Sequence, residues 1–463
     1  MALLTAVNGQ MPSSVNAQPT IKSITVGAQT AVQVDVLPLI PMDSSNVSQY
    51  VSPVAYRNKE IYTTNVEPGN GSGVPDVNLQ TVIRKCSIRT DTSCIWESKV
   101  IDDATLKDMY HTQPSVALDR AGFVHVAYNM HNMPWQYAVS KTPQDITAFE
   151  FRGDTVSLLE RSTVKLLNKT PFPSIGTAAI PGNQVTYPAF FHDRNGDLFI
   201  TYRYATRPKL SFGERSFAGA IAAYDVNTQK WKSLGGDVTI SSTDADLPGN
   251  TTFAVTKPFA LTDGWQPQPI RLFFDRKNRM HVAWVWREHK SGFEYINASY
   301  AFSDDLGLSF KDSKAKLYTM PIKMSDAERP FAGYLASQVL SMAIVSIAAD
   351  AVGQPYFVSA PVGQNCLLTF FNQKTNAWEL PEPMPFNAVR FEIDEDGRQW
   401  VFTTGLKILR REGNSKKWMT IWEDSDALKY GWPTILAVPN ERMFIVHTMN
   451  ADINKVKIYV VKY

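Results

Sequence analysis

The clearest pattern in the chain is a pair of apolar strands joined by a short polar turn. In PSVALDRAGFVHVAYNM, residues 114–130, apolar and polar positions alternate on both sides of a turn that contains Asp119 and Gly122. A period of two is typical of β-strands, because successive side chains point to opposite faces. Asp tolerates tight-turn geometry and Gly supplies a positive φ. The segment therefore predicts a β-hairpin.

The same unit recurs along the chain, with copies that begin at residues 52, 114, 187, 268, 342, 387 and 432. Five copies carry an aspartate at the same point of the turn: Asp119, Asp193, Asp275, Asp350 and Asp394. Further strands holding tryptophan follow several copies, as in RTDTSCIWESKV, DVNTQKWKSL and NQKTNAWEL. Repetition of one such unit indicates a propeller. We predict an all-β fold, a β-propeller of about seven four-stranded blades.

The ends of the chain suggest how the ring closes. The last copy has KVKIYVVKY as its third strand and no residues after it. A fourth strand is expected from residues 24–36, since a closed ring leaves no sheet edge exposed. We therefore divide the chain into an N-terminal extension with the closing strand, residues 1–40, and the propeller, residues 41–463.

Charge and hydropathy narrow the classes of partner. Lys and Arg number 46 against 44 Asp and Glu, without a basic run, so no nucleic-acid partner is expected. Residues 335–349 are apolar but contain four polar side chains, so no membrane insertion is expected. The N-terminus lacks the basic and apolar regions of a signal peptide. A protein that acts outside the cell would then need another way to leave it, such as carriage on a virion. Partners in an oligomer or in a virion are left open.

The cysteine content does not predict a disulfide framework. Cys86, Cys94 and Cys366 are an odd and sparse set, so we do not expect a disulfide, although Cys86 and Cys94 flank a turn and could face each other. No zinc spacing occurs, so no metal ligand is predicted.

One short motif carries a structural meaning. SDDLGLSF, residues 303–310, fits the pattern S-x-D-x-G-x-S/T-aromatic and is similar to the Asp boxes of sialidase-type propellers. Those motifs form a turn between the third and fourth strands of a blade. Asp305 is therefore expected to stabilise the fold and not to be catalytic.

Four residues at or near strand ends are candidates for chemistry: His111, His131, Tyr187 and Arg203. Each also has an ordinary interpretation. His111 could be a loop residue, His131 a turn cap, Tyr187 a core aromatic and Arg203 an ion-pair partner.

Two longer segments resemble a known family. H-x-Q-P-S-V-A-L-D-x-x-G-x-V-H-V-A-Y-x-x-H-N-x-P-x-x-Y-x-x-S, residues 111–140, is similar to the signature of the BNR-4 propellers, which include ulvan-lyase-type polysaccharide lyases. TYPAFF-x-D-x-x-G-D-L-F-I-x-Y-R, residues 186–203, and HVAWVWRE, residues 281–288, resemble the segments that follow. The resemblance covers roughly residues 110–310. It departs at YATRPKLSFGERSF, where a Gly- and Ser-rich turn is usual, so the substrate is left open.

The resemblance implies β-elimination at a uronic acid of a polysaccharide. Arg203 would neutralise the carboxylate with help from His131, and His111 and Tyr187 would be the acid and base. The resemblance implies no required cofactor. A structural metal ion occurs in this family, but no ligands for one are identified in this sequence. The substrate is expected to contact Asn132, Trp135, Tyr137, Arg207 and Arg287.

Two other functions remain open. A glycan-binding propeller without catalysis, such as a receptor-binding virion protein, would keep an aromatic groove with the four candidates far apart. A sialidase-like hydrolase would need three arginines around a carboxylate, together with a Tyr–Glu pair and an acidic residue, and no such arginine set stands out.

Overall fold

The computed structural model describes most of the chain. The described residues are 21–24, 32–43, 50–69, 79–88, 94–103, 111–133, 135–153, 180, 183–205, 217–236, 257–288, 294–334, 339–385, 387–413, 415–424, 432–450 and 454–463. They form antiparallel strands and one short 3-10 turn, Pro439–Glu441. Within these ranges no helix has the length and apolar character needed to cross a membrane.

The strands of the first half form three sheets. The first runs in the order β4 (Val54–Arg57), β5 (Glu60–Pro68), β6 (Leu79–Ser87), β7 (Glu97–Asp103). The second runs β12 (Phe149–Phe151), β11 (Tyr137–Ser140), β9 (Val124–Ala127), β8 (Ser115–Leu118). The third runs β10 (His131–Met133), β13 (Asn183–His192), β14 (Leu198–Ala205), β15 (Phe217–Asp225), β16 (Lys230–Leu234), with β17 (Ala260–Leu261) also on β15.

The remaining strands form three more sheets. The fourth runs β18 (Trp265–Phe274), β19 (Met280–Glu288), β20 (Tyr295–Ser303), β21 (Val339–Ala349), β22 (Pro355–Pro361), β23 (Leu367–Asn372), β24 (Ala377–Trp378), with β25 (Glu382–Pro383) on β23. The fifth runs β26 (Ala388–Ile393), β27 (Gln399–Thr403), β28 (Lys407–Arg411), β29 (Met419–Glu423). The sixth runs β1 (Ile21–Ile24), β2 (Val32–Val36), β32 (Lys455–Lys462), β31 (Met443–Asn450), β30 (Thr434–Val438), with β3 (Ile40–Pro41) on β32.

The described strands thus form six sheets, which differs from the predicted count of about seven blades. The difference lies in the eight-stranded sheet, where two strand meanders, β18–β20 and β21–β24, are joined because β20 pairs with β21. That junction is only two residues long, Tyr295 with Leu340 and Ile296 with Val339.

The first strands of successive units make the architecture a propeller. Each contacts the next in a closed cycle: β4, β8, β13, β18, β21, β26, β30 and back to β4. Apolar side chains fill the spaces between neighbouring sheets, as where Phe199 of β14 packs on Phe274 of β18. The all-β propeller predicted from the repeat is therefore present.

The ring closes through the N-terminal segment. β2 pairs antiparallel with β32, with Gln33 opposite Lys462 and Val36 opposite Tyr459. Val34 and Val461 are both buried in this sheet's core. The pairing occupies the position where the sequence predicted a closing strand, and the domain boundary at residue 40 stays a prediction.

The five aspartates of the repeat occupy equivalent turns, which we call the aspartate turns. Each lies directly after the first strand of its unit, and its backbone N–H donates to the carbonyl four residues later. In each turn Oδ1 accepts a hydrogen bond from that later residue's N–H, at 2.8 or 2.9 Å. The residue three places after the aspartate has a positive φ, as at Gly353, where φ is 87°. A Cβ at Gly353 would also lie 2.7 Å from Asp275 Oδ2, so glycine is required there.

One detail of the turn prediction is wrong. Asp275 and Asp350 were expected in separate sheets, but the β20–β21 junction places both in the eight-stranded sheet. Each still connects the first and second strands of its own meander, β18 to β19 and β21 to β22.

The cysteine prediction also needs correction. Cys86 and Cys94 form a disulfide with their Cα atoms 5.6 Å apart. The bond forms because β6 ends at Ser87 and the chain returns at Glu97 to begin β7, which brings the two side chains to one end of the hairpin. Cys366 is a free, buried thiol.

Residues 303–310 form a closed turn after β20. Asp305 Oδ1 accepts from the Ser303 hydroxyl at 2.7 Å and from the Ser309 N–H at 2.9 Å, and its Oδ2 accepts from the Ser309 hydroxyl at 2.6 Å. Phe310 is buried against Phe259. The identification of this segment as an Asp box stays a prediction, and the contacts indicate a structural role.

We expect Asp305→Ala to lower the free energy of unfolding by about 1–2 kcal/mol, because it removes the acceptor that holds the turn together. Denaturant unfolding measures the loss. Asp304→Ala is the matched control, since its ion pairs with Arg279 and Lys311 lie at the surface and should contribute about 0–1 kcal/mol. Equal losses in the two variants would contradict a structural role specific to Asp305.

Candidate functional site

The candidate residues lie at the mouth of the ring opposite the aspartate turns. Five of the seven first strands end in an aspartate turn, so residues near the start of such a strand lie at the other mouth. Tyr187 lies near the start of β13. The neighbouring strand β10 pairs with β13 and places His131 opposite Thr186. Arg203 lies near the end of β14, also opposite Thr186.

The structure brings the four candidates together. The rings of His111 and His131 stack with centroids 3.9 Å apart and planes 4° apart. The Tyr187 ring centroid is 5.7 Å from that of His111 and 6.4 Å from that of His131. The Arg203 Cζ lies 5.2 Å from the Tyr187 ring centroid. We refer to these four residues as the candidate site.

Exposure separates the two site histidines from three of the other four described histidines. His111 and His131 are half-buried. His192 is exposed, but it lies beside the turn of Asp193, away from the candidate site, and its Nε2 lies 2.6 Å from the carbonyl oxygen of Leu118. His125 and His281 are buried within the blades, and burial lowers the pKa of each. Burial likewise lowers the pKa of His447 to about 3. A proton carrier that meets substrate at neutral pH must reach solvent, so the stacked pair fits that role better than the buried histidines.

The backbone around Tyr187 is irregular. Tyr187 has a φ of 58°, and the pairing of β13 with β14 shifts register on both sides of Thr186. A positive φ at a bulky residue is uncommon and costs about 1–2 kcal/mol. The irregularity sets the Tyr187 ring against Tyr50, with centroids 4.4 Å apart, and leaves the Tyr187 side chain almost fully buried.

Arg203 lies in a set of neutral acceptors that we call the amide cradle. Its Nη1 donates to Gln268 Oε1 at 2.7 Å and also to Gln266 Oε1. Its Nη2 donates to Asn132 Oδ1 at 2.9 Å and to Thr186 Oγ1 at 3.3 Å. The cradle therefore consists of Gln266, Gln268, Asn132 and Thr186.

This arrangement corrects the role expected for Arg203. The side chain is 4% exposed and its terminal nitrogens already bond to the cradle, so it does not offer a bidentate fork to a substrate carboxylate. Burial lowers the pKa of Arg203 to about 10, so the guanidinium stays charged at neutral pH. Its strongest charged or ionisable neighbours are Tyr187, Arg287, Tyr295 and Tyr50, and no described carboxylate forms an ion pair with it.

The residues expected to contact substrate lie in different environments. Trp135 and Tyr137 are 1% and 0% exposed and stack on each other within the core, so their expected role in binding is wrong. They were misassigned because both side chains, Tyr137 on β11 and Trp135 just before it, pack in the interface between the second and third sheets. Asn132 holds Arg203 and also donates its backbone N–H to Thr186 Oγ1 at 2.8 Å, which gives it a positioning role. Arg207 lies outside the described residues.

Arg287 extends the site along its rim. The Arg287 side chain is half-buried, and its Cζ lies 5.7 Å from the Tyr295 ring centroid. The Tyr295 hydroxyl is 3.2 Å from that of Tyr50, which packs on Tyr187. A chain of three tyrosines thus connects Arg287 to the candidate site, and its binding of substrate stays a prediction.

Sequence analysis missed the cradle glutamines and the two additional tyrosines. Gln266 and Gln268 stand two apart in WQPQP at the start of β18, so alternation places both on one face of the strand. Two buried amides on one face were a readable signal for a buried polar partner. Tyr50 and Tyr295 carry no comparable signal. Within the described ranges, no three His, Cys, Asp or Glu side chains come together in a way that could hold a metal ion.

Comparison with known proteins gives one family and several structural neighbours. A family model described as "BNR repeat-containing family member" matches residues 74–400, which is more than half of the chain. No curated protein matches the sequence.

Two solved structures have the same fold. The polysaccharide lyase Uly1 superposes with a TM-score of 0.62 at 13% identity, covering 90% of each chain. A PL25 ulvan lyase bound to -[GlcA(1-4)Rha3S]- superposes with a TM-score of 0.56 at 12% identity, covering 92% of this chain and 96% of that one. At such identities the likeness establishes the propeller fold alone.

The cradle generates a test of its own. We expect Gln268→Leu to lower the free energy of unfolding by about 1–3 kcal/mol, because the buried guanidinium loses an acceptor. In an Arg203→Met background the same change should cost much less, which gives a coupling of about 1 kcal/mol or more in a double-mutant cycle. Denaturant unfolding of the four proteins measures it. Additive losses would show that Gln268 does not stabilise Arg203.

Proposed function

Since the chain belongs to the BNR repeat-containing family, we propose that it is a carbohydrate-active propeller, a polysaccharide lyase that cleaves a uronate-containing polysaccharide by β-elimination. The observation that carries this proposal is the candidate site itself. Two half-buried stacked histidines adjoin a tyrosine, and a buried arginine without a described carboxylate partner lies behind that tyrosine. Such a site supplies proton carriers and positive charge, which are the two requirements of β-elimination.

The proton transfers balance within the candidate site. A neutral His111 takes the C5 proton of the uronate, the C5 electron pair forms the C4–C5 double bond, and the bond from C4 to O4 breaks. Tyr187 donates its proton to the departing O4 and becomes a phenolate. Proton transfer from His111 back to Tyr187, directly or through water, restores both groups.

Arg203 acts on Tyr187 from behind. The attraction between a Tyr187 phenolate and the guanidinium opposes the burial that lowers the Arg203 pKa, and the same attraction stabilises the phenolate. The amide cradle fixes the guanidinium without cancelling its charge, because amide oxygens are neutral acceptors. Arg203 is therefore a preorganised source of positive charge for the transition state.

The substrate carboxylate needs a second positive group, since both terminal nitrogens of Arg203 are occupied. Arg287 stands against Tyr295, and both Arg287 and His131 are half-buried and can supply that charge. Two imidazolium rings 3.9 Å apart would repel each other. The pair therefore favours at most one charge, with His131 as donor to the carboxylate and His111 as neutral base.

A non-catalytic glycan-binding propeller is the second candidate function. The near-complete burial of Tyr187, at 5% exposure, favours it, because a buried hydroxyl must be uncovered before it can reach a sugar. Tyr50 and Tyr295, which are half-buried beside Tyr187, offer ring faces of the kind on which sugars stack.

We further propose that the ring counts seven blades, with the eight-stranded sheet counted as two. The support is the closed cycle of seven first strands. Carriage on a virion stays a prediction of the sequence.

Tyr187→Phe removes one hydroxyl and should lower turnover of a uronate polysaccharide by about 10²–10⁴-fold, the range for a positioned acid. Ultraviolet absorbance of the unsaturated product measures the rate. Tyr356→Phe is the matched control, since Tyr356 lies in another blade beside Phe370 and Phe391. Retention of full turnover in Tyr187→Phe would remove Tyr187 from the chemistry.

Arg287→Gln should raise KM by about 10-fold or more with a smaller effect on kcat, because it removes charge that binds the carboxylate in ground and transition states alike. Arg203→Met should lower mainly kcat, since its charge acts on the Tyr187 phenolate. Steady-state kinetics on one substrate separates the two effects. The reverse pattern would show that Arg203, and not Arg287, contacts the carboxylate.

A further inference from the structure

A second cavity lies inside the ring, away from the candidate site. It has a volume of about 410 Å³ and is lined by residues of all seven first strands. Its lining reaches Asp193, Arg194 and Asn440 beside the turns, so it lies toward the aspartate-turn mouth. The candidate site lies at the other mouth and contributes none of its four residues to this lining.

The repeat places two arginines at one level of this cavity. Arg271 precedes Asp275 by four residues, and Arg390 precedes Asp394 by four residues. Ser346 precedes Asp350 by the same number and lies on β21, the strand that contacts both β18 and β26. Because the aspartate turns are equivalent, these three residues share a level, and Ser346 lies on the strand between those of Arg271 and Arg390.

The charges at this level are mainly positive. Arg271 is half-buried and Arg390 is buried. Burial and repulsion from Arg390 lower the pKa of Arg271. Burial lowers the pKa of Arg390 to about 10, so Arg390 remains a cation at neutral pH, and arginine side chains in general keep their proton in proteins.

Two carboxyl groups, Asp193 and Glu392, line the same cavity. The Asp193 carboxylate accepts hydrogen bonds from N–H groups of its own turn and from the Asn278 side chain. Burial raises the pKa of Glu392 to about 8, despite attraction from Arg390 and Arg194, which favours its protonated form. In that form it can donate a hydrogen bond to an anion. Like charges brought together in a poorly solvated cavity are costly unless a negative group enters between them.

We propose that this cavity is a binding site for a small divalent oxyanion of the sulfate or phosphate class, held between Arg271 and Arg390. A guanidinium matches two oxygens of such an anion with two parallel N–H groups. The Ser346 hydroxyl bonds to the N–H and carbonyl of Phe391 at 3.2 Å each, and so links the two strands that flank this level. The volume exceeds that of one ion, which leaves room for water to complete its shell.

Isothermal titration of the full chain with sodium sulfate or sodium phosphate, at constant ionic strength set by sodium chloride, tests the proposal. We expect saturable binding of one anion per chain. Arg271→Gln and Arg390→Gln should each weaken it about tenfold or more, and Arg390→Lys should weaken it less because the charge is kept. Arg276→Gln is the matched control, since Arg276 lies outside the cavity and pairs with Glu395. The titration stays at millimolar concentrations, because concentrated sulfate stabilises any folded protein.

A variant could also bind poorly because its fold is damaged. Thermal unfolding separates that case from the loss of an anion site. In chloride alone, Arg390→Gln should unfold at the same temperature as the parent or higher, because repulsion is relieved. Added sulfate should then raise the unfolding temperature of the parent and of Arg276→Gln more than that of Arg390→Gln. Equal responses in all variants, or no saturable heat of binding in the parent, would overturn the proposal.

The ion could instead be the sulfate group of a polysaccharide. A sulfated polysaccharide and a desulfated sample of the same polymer are titrated in parallel, with and without saturating inorganic sulfate. If the ligand of the cavity is a free ion, we expect that inorganic sulfate does not displace the polymer from the protein. Displacement of the sulfated polymer alone, abolished by Arg390→Gln, would show that the cavity takes the polymer, and the free-ion proposal would be wrong.

Discussion

Closure of the ring is the constraint on which the other features depend. Each first strand is held on both sides by its neighbours, and the last unit obtains its outer strand from β2, far away in sequence. The candidate site takes His131, Tyr187 and Arg203 from β10, β13 and β14 of the third sheet, and His111 from the segment before β8 of the second sheet. The fourth sheet supplies Gln266 and Gln268, which hold Arg203. The site is therefore a property of adjacent sheets held together in the ring and not of one blade.

The buried arginines inside the ring have two kinds of surroundings. Arg203 is surrounded by neutral oxygens that accept its hydrogen bonds and leave its charge in place. Arg271 and Arg390 line a cavity that is large enough for a counter-ion. Both arrangements concentrate positive charge inside the ring, whereas the chain as a whole is nearly neutral, at +2. Such a distribution favours acidic ligands at the mouths of the ring without making the protein generally basic.

Features that depend on neighbouring residues were predictable from the sequence, and features that depend on contact between blades were not. The aspartate turns are local, because each Asp bonds to N–H groups within four residues, so the motif and its geometry agree. Proximity of His111, His131, Tyr187 and Arg203, which joins two sheets, was implied by the family resemblance together with their positions at or near strand ends. Burial of Trp135 and Tyr137 did not follow, since alternation tells which side chains share a face but not whether another blade covers it. The amide cradle was missed for the same reason, because Gln266 and Gln268 meet Arg203 across two sheets.

The central claim is that the protein breaks a uronate polysaccharide by elimination, and the fate of water tests it most directly. A panel of uronate-containing polysaccharides is incubated with the protein in isotopically labelled water, and the products are analysed by mass spectrometry. The account predicts shorter chains with an unsaturated uronate at one end and no label at the cleaved bond. Incorporation of label would show hydrolysis, and intact polymer that nevertheless remains bound would show a glycan-binding propeller; either result would contradict the account.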